Sequence, residues 1–158
     1  MPEAPTLGAR GGGWVALQFA LLAAVLVVGL VAPGWPDAAR WWLKAAGVLL
    51  VFAGALVMTL ARRALGRGFT AFAKPAESGE LVESGPYGVV RHPIYSGGLL
   101  FAAGISVALS PWAFLATGAL AVVWALKAAV EERFLLDRYP AYAEYRRTSR
   151  YRLIPYVY

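Results

Sequence analysis

The chain has 158 residues, 59% of them hydrophobic and 15% charged, with a mean hydropathy of +0.58. Soluble domains carry about 25% charged residues, so this balance argues against a soluble core and for one membrane-embedded domain. The net charge of +6 comes from basic residues that flank apolar runs, which makes lipid headgroups the expected partner and nucleic acid an unexpected one. With no cysteine, disulfide and thiolate chemistry is excluded, and with one histidine a dedicated metal site is not expected.

Residues 1–13 are rich in Pro and Gly and read as a disordered lead. Residues 14–32 are apolar except for Gln18 and are long enough for one bilayer crossing, which takes about 20 residues. The run is too long for a signal-peptide core and no clear cleavage motif follows, so a retained first span is expected. Pro33-Gly34-Trp35-Pro36-Asp37 is a tight turn, with Asp37 the expected N-cap of the next helix. Trp35, Trp41 and Trp42 suit a headgroup belt, and a second span is expected over 41–60. Gly47 and Gly54 lie seven apart on one face. That spacing fits close helix packing, but glycine is common in membrane helices and the second explanation weighs slightly more.

Residues 62–84 are the longest polar stretch, where Pro75 and Gly79 prevent a continuous helix. It carries four basic residues and Glu77, Glu80 and Glu83. Phe69 and Phe72 indicate a loop folded onto the membrane face and not a free linker. Pro93 suits the first position of a third helix over 94–109. Ser110-Pro111 marks a turn, with serine as N-cap and proline as the first residue of a fourth helix. That helix runs through residue 130 and extends into water over 131–138, until Tyr139-Pro140 ends it. A short amphipathic helix over 141–147, with Tyr142 and Tyr145 on one side, and an aromatic tail at 153–158 packed back on the body complete the expected all-α membrane fold of about four spans.

Four spans put both termini and the long loop on one side. That side holds Arg10, five basic residues from Arg62 to Arg91 and six from Arg133 to Arg152, against Arg40 and Lys44 opposite. The positive-inside rule makes it cytoplasmic, in a multi-pass cell-membrane protein.

Spacing also locates the chemistry. His92 lies eighteen residues before Ser110 and Glu131 lies twenty after Pro111, arms of about 27 and 30 Å at ~1.5 Å per residue. Helices joined by so tight a turn run antiparallel. Arg91-His92 and Glu131-Glu132 therefore meet at one level, at the edge of the hydrocarbon layer. Taken singly, Arg91, His92, Tyr87 and Tyr95 also fit interfacial anchors, and Lys127 fits an i,i+4 partner of Glu131 or a snorkelling cation. Two carboxylates at a helix C-terminus oppose the helix dipole by about 0.3–1 kcal/mol each, so a cation should offset them.

These residues carry a resemblance. Ser84-Gly85-Pro86-Tyr87, Arg91-His92-Pro93-x-Tyr95, Glu131-Glu132, Tyr142-x-x-Tyr145 and Ile154-Pro155 together resemble the isoprenylcysteine carboxyl methyltransferase family, within the integral-membrane phospholipid methyltransferases. The match covers about 69–155, which makes 61–158 the expected methyltransferase core and 14–60 a two-helix anchor. The resemblance implies a helical membrane fold that binds S-adenosylmethionine at its cytoplasmic face without a Rossmann sheet, and no Gly-rich strand–helix unit is present. By position it implies cofactor contacts at Glu80, Leu81, Val82, Tyr87, His92, Pro93, Ile94, Tyr95 and Glu131, with Arg91 and Glu132 as the catalytic pair. Members that methylate prenylated cysteine have a substrate-contacting arginine where this chain has Lys127, which is then the expected substrate-binding residue, its charge kept but its bidentate geometry lost. The expected activity is carboxyl O-methylation of a lipophilic, isoprenylcysteine-like acceptor. N-methylation of an amine-headed lipid and a non-enzymatic scaffold are the alternatives.

Overall fold

A computed structural model describes residues 7, 8, 10–75 and 79–157. Most of the expected lead, Glu77 and Tyr158 lie outside them. The described chain forms five α-helices: α1 (Gly12–Val31), α2 (Asp37–Leu65), α3 (Pro93–Leu109), α4 (Ala113–Arg138) and α5 (Tyr142–Thr148), with 3-10 turns at Gly66–Gly68 and Gly85–Gly88. No strand occurs among the described residues. It is an all-α membrane protein. Three helical stretches, Gly12–Val31, Asp37–Gly68 and Ala113–Arg138, are long and apolar enough to cross a bilayer, and α3 is a shorter apolar helix. Phe19, Leu30, Leu49, Phe52 and Leu115 are exposed on their outer faces, an apolar surface far beyond what a soluble monomer presents.

The helix ends adjust several expectations. Asp37 lies inside the first turn of α2 and pairs with Arg40 at 2.8 Å, while Pro36 takes the N-cap position. The carboxylate thus serves the helix dipole and a neighbouring cation instead of an amide cap. The helix α4 starts at Ala113, not Pro111, although the Ser110 hydroxyl still accepts the Trp112 amide at 3.3 Å and also donates to the Pro33 carbonyl at 2.8 Å. Pro93 opens α3 as expected. The tail packs back only as far as Leu153, which is buried, whereas Ile154, Tyr156 and Val157 are exposed.

The helices pair as α2 with α3, and α1 with α4 and α3. Glycine decides the first contact, against the reading of Gly47 and Gly54 as ordinary membrane glycines. A Cβ built on Gly54 would lie 2.5 Å from both the Gly97 carbonyl oxygen and the Phe101 amide nitrogen, and one on Gly47 would lie 2.5 Å from the Gly104 carbonyl oxygen. The reverse contacts, Gly97 to the Gly54 carbonyl oxygen at 2.8 Å and Gly104 to the Gly47 carbonyl oxygen at 2.7 Å, are also too close for a Cβ. Four glycines in two facing pairs therefore bring the backbones together, where dispersion and not water expulsion drives packing.

Substituting Gly54→Ala must push backbone apart and should destabilise the protein by about 1–3 kcal/mol. Gly118→Ala, whose added Cβ meets nothing within 4 Å, should be neutral or stabilising by up to ~1 kcal/mol. Unfolding in mixed micelles checks both. Equal effects would dissociate the glycine pairs from helix packing.

Candidate active site

The tight turn between α3 and α4 brings Arg91-His92 beside Glu131-Glu132, as the spacing requires. The C-terminal segment closes the arrangement from a third side. The backbone amides of Arg91 and His92 donate to the carbonyls of Tyr151 and Arg152 at 2.9 and 3.0 Å, and the Ser96 hydroxyl donates to the Leu153 carbonyl.

The two glutamates have different surroundings. Glu132, 3% exposed, accepts Arg91 Nε at 2.9 Å and Arg152 Nε at 3.0 Å on Oε1, and a second Arg152 nitrogen at 3.0 Å on Oε2. Arg91 also donates to the carbonyls of Ser149 and Arg150, both at 2.7 Å. Glu131, 16% exposed, accepts the Tyr95 hydroxyl and faces His92 Nδ1 at 3.4 Å. His92 Nε2 lies 3.3 Å from Glu132. With a carboxylate at each ring nitrogen, only the imidazolium can donate to both. Burial disfavours that charged form, but the hydrogen bonds and charges of Glu131 and Glu132 outweigh it and raise the His92 pKa above its usual 6.5.

The rings of His92 and Tyr95 stack with centroids 5.7 Å apart and planes 9° from parallel, and Trp124 continues the stack at 5.3 Å and 13° from Tyr95. Lys127, 1% exposed, lies 5.3 Å from the centre of the Tyr95 ring. It does not snorkel. Its ammonium donates to Gln18 Oε1 at 2.8 Å and to the Ala71 carbonyl at 2.7 Å, and sits 3.9 Å from Glu131.

Two cavities adjoin this cluster. The larger, about 370 Å³, is mostly apolar, bounded by Phe19, Leu22, Met58, Phe69 and Phe101, and ends at His92, Tyr95, Lys127 and Glu131. The smaller, about 80 Å³, is lined by Glu80, Leu81, Val82, Tyr139, Tyr142 and Tyr145. Tyr87 and Arg91 border both. Of the expected site residues, Glu80, Leu81 and Val82 line the smaller cavity and His92, Ile94, Tyr95, Lys127 and Glu131 the larger, whereas Pro93 and Glu132 line neither. The long loop supplies cavity wall through Phe69 and Phe72, whose outer faces meet Arg62 and Arg10.

Sequence reasoning assigned no site role to three residues, of which Tyr142 entered only through its motif and helix face. Arg152 holds Glu132, Gln18 holds Lys127, and the Tyr142 hydroxyl is buried with no hydrogen-bond partner among the described residues. Gln18 carried a signal as the one polar residue in its span. Arg152 was indistinguishable from the basic residues around it. Among the described residues, no group of three or more His, Asp or Glu is arranged to hold a metal ion.

The fold and site define an all-helical membrane protein with a buried charged cluster where an apolar cavity meets the polar loop. The sequence profile of the phospholipid methyltransferase family matches residues 42–142, and the chain belongs to that family. It is 33% identical over 104 residues to protein-S-isoprenylcysteine O-methyltransferase B of Arabidopsis thaliana, covering 64% of this chain and 48% of that protein. It is 33% identical over 109 residues to the A form from the same plant, covering 67% and 50%. It is also 35% identical over 113 residues to the cobalt-zinc-cadmium resistance protein CzcN of Cupriavidus metallidurans, covering 70% and 51%. The chain spans about half the length of these curated relatives.

The neighbouring glutamates should separate on mutation. Glu132→Gln leaves buried Arg91 and partly exposed Arg152 short of their counter-charge and should cost about 3–5 kcal/mol, whereas Glu131→Gln, at the cavity wall, should cost much less. The raised His92 pKa stabilises the fold fully below about 6.5, and that contribution is lost as pH rises through the folded-state value. Thermal unfolding from pH 5 to 9 should therefore show a Tm decline at the alkaline end that His92→Gln lacks. Parallel curves for the two proteins would mean that the imidazole is not held charged.

Proposed function

We propose that this chain transfers a methyl group from S-adenosylmethionine to the carboxylate of a lipophilic acceptor, isoprenylcysteine-like in its pairing of an apolar tail with an acidic head. The observation that carries this reading is Glu131, a carboxylate at the polar end of an apolar cavity, held by His92 and Tyr95, in a cavity that shares Tyr87 and Arg91 with a second, aromatic one.

The residues fit such a donor. The smaller cavity has aliphatic and aromatic walls and one buried, unpartnered hydroxyl, on Tyr142, suited to a heteroaromatic base that needs a hydrogen bond. Glu131 offers negative charge to an ammonium or sulfonium. In this reading Glu80, Leu81, Val82 and Tyr87 hold the base end. His92, Ile94, Tyr95 and Glu131 hold the charged end; the Tyr95 and Ser96 amides of the first turn of α3 donate to the His92 carbonyl, which leaves the Ile94 amide as the one that can meet an anionic group.

Bound there, the donor supplies an electrophilic methyl group on a sulfonium. A carboxylate acceptor is already nucleophilic, so the protein needs to align, desolvate and screen. The bound donor would supply its sulfonium methyl to an oxygen of that carboxylate and would keep the carbon–sulfur electron pair, so none of these residues would have to move a proton. Tyr95 and His92 fix Glu131. Arg91 borders both cavities and is the nearer of the expected catalytic pair, while Glu132 acts through Arg91 and His92 as a positioning residue. The apolar walls contributed by α1 and α2 take the acceptor tail, and Lys127 attracts its head.

The same reading puts this end of the molecule in the cytoplasm, with four crossings of the cell membrane and both termini inside. At 17 residues, about 25 Å long, α3 is at the short limit for a crossing. It takes the chain as one domain, with 61–158 as its methyltransferase core.

His92→Ala and Glu131→Ala should each weaken S-adenosylmethionine binding about tenfold or more, the loss of a charge-assisted hydrogen bond of ~1.5–3 kcal/mol. Tyr142→Phe should weaken it about two- to tenfold, for a neutral bond of ~0.5–1.5 kcal/mol. Calorimetric titration checks all three, with gel filtration to verify folding. A wild-type protein that binds no donor would leave a membrane scaffold. Label transferred from donor to phosphatidylethanolamine alone would replace carboxyl with amine methylation.

A further inference from the structure

α1 lies outside the residues matched to the family, yet one of its side chains reaches the candidate site. Gln18 is the only residue of the 20 in α1 with an amide, hydroxyl or charge in its side chain. It is 7% exposed and lines the larger cavity. A polar group at this depth is costly unless it has a task. Its Oε1 accepts Trp124 Nε1 at 3.1 Å and Lys127 Nζ at 2.8 Å. Two donors on one oxygen fix the amide orientation and turn its NH₂ group away from them.

Lys127 is held by neutral oxygens, and its one carboxylate neighbour, Glu131, stands at the outer limit of an ion pair. Gln18 and the Ala71 carbonyl take two of its three N–H donors, and both are uncharged. Glu131 accepts from Tyr95 and faces His92, and stands 3.9 Å from the lysine, beyond hydrogen-bond distance. A cation this deeply buried ordinarily has a close counter-charge. The side chain also lines the cavity, so the available place for an anion is the cavity itself.

Resting on the methyltransferase reading above, we propose that Gln18 sets the acceptor class: it is a positioning residue that fixes the Lys127 ammonium at the cavity wall, and together they select single-chain lipids with an anionic head over those with a cationic one. The ammonium supplies its remaining N–H, the glutamine its NH₂, and both are donors. A carboxylate accepts from both, whereas an ammonium head can accept from neither and is repelled by Lys127.

The test uses three ligands with one tail and different heads: palmitate, palmitamide and hexadecylamine. Each is titrated against the full chain in phosphatidylcholine nanodiscs by tryptophan fluorescence, because Trp124 bonds to Gln18. Wild type should bind palmitate most tightly and hexadecylamine least. Gln18→Leu and Lys127→Met should each weaken palmitate about tenfold. The double variant should lose no more than Lys127→Met alone, since one residue acts through the other. Gln18→Glu retains an oxygen for Trp124 and Lys127, so it preserves the fold, but should lose palmitate and gain hexadecylamine. Unchanged palmitate affinity in Gln18→Leu, or losses that multiply in the double variant, would overturn the proposal. S-Adenosylhomocysteine is titrated on the same preparations. Donor binding without head-group selection removes the proposal and leaves the methyltransferase reading. Selection without donor binding removes that reading and leaves the anion site.

Discussion

The rest of the site depends on the burial of one carboxylate. Glu132 takes two arginines and faces a histidine, and these partners come from two segments: Arg91 and His92 from the loop before α3, Arg152 from the chain after α5. An ion cluster removed from water gains little net energy over an apolar equivalent, but losing one member is costly because the others stay behind. Such a cluster specifies an arrangement more than it stabilises one. It closes a ring of α4, loop and tail, and the backbone bonds from Arg91 and His92 to Tyr151 and Arg152 lie directly on it. The tail is therefore ordered up to Leu153 and exposed beyond it.

That ring fixes only the polar end. The cavity beneath it exists because the helices are held at unequal separations. Facing glycines draw α2 and α3 into backbone contact. α1 instead packs on α4, where Trp14, Leu21, Val25 and Trp124 supply bulk. Close contact on one side and large side chains on the other leave unfilled volume between α1, α2 and α3, at the depth of Met58, Gly98 and Phe101. A uniformly packed bundle of the same length would have none.

Element type and register were legible in the sequence because few rules govern them. Apolar length gave the spans, the prolines gave the breaks, and a tight turn between two long arms forced Arg91-His92 beside Glu131-Glu132. What remained illegible depended on which long side chain reaches which neighbour. Arg152 and Arg150 are two residues apart in one basic tail, and only the fold puts the first on Glu132. By spacing Lys127 fitted an i,i+4 partner of Glu131 or a snorkelling cation, and contacts from α1 and the long loop bury it beside Glu131. The glycines were weighed against a high background of glycine in membrane helices. Gly97 and Gly104 on α3 repeat the seven-residue spacing of Gly47 and Gly54, and that second set could have tipped the reading toward packing.

Adjacent positions on a helix point about 100° apart, and this angle explains how Glu131 and Glu132 divide the work. Glu132 turns toward loop and tail, where its oxygens are used up in holding them. Glu131 turns toward the cavity, with a phenol and an imidazole fixing it and its side chain still part of the wall. His92 touches both and transmits the rigidity of the first to the second. A carboxylate that must meet a cationic reagent with little reorganisation benefits from an anchored neighbour. A single glutamate would have to hold loop and tail and line the cavity with the same two oxygens; the pair, nearly two turns before the end of α4, divides these between adjacent faces of the helix.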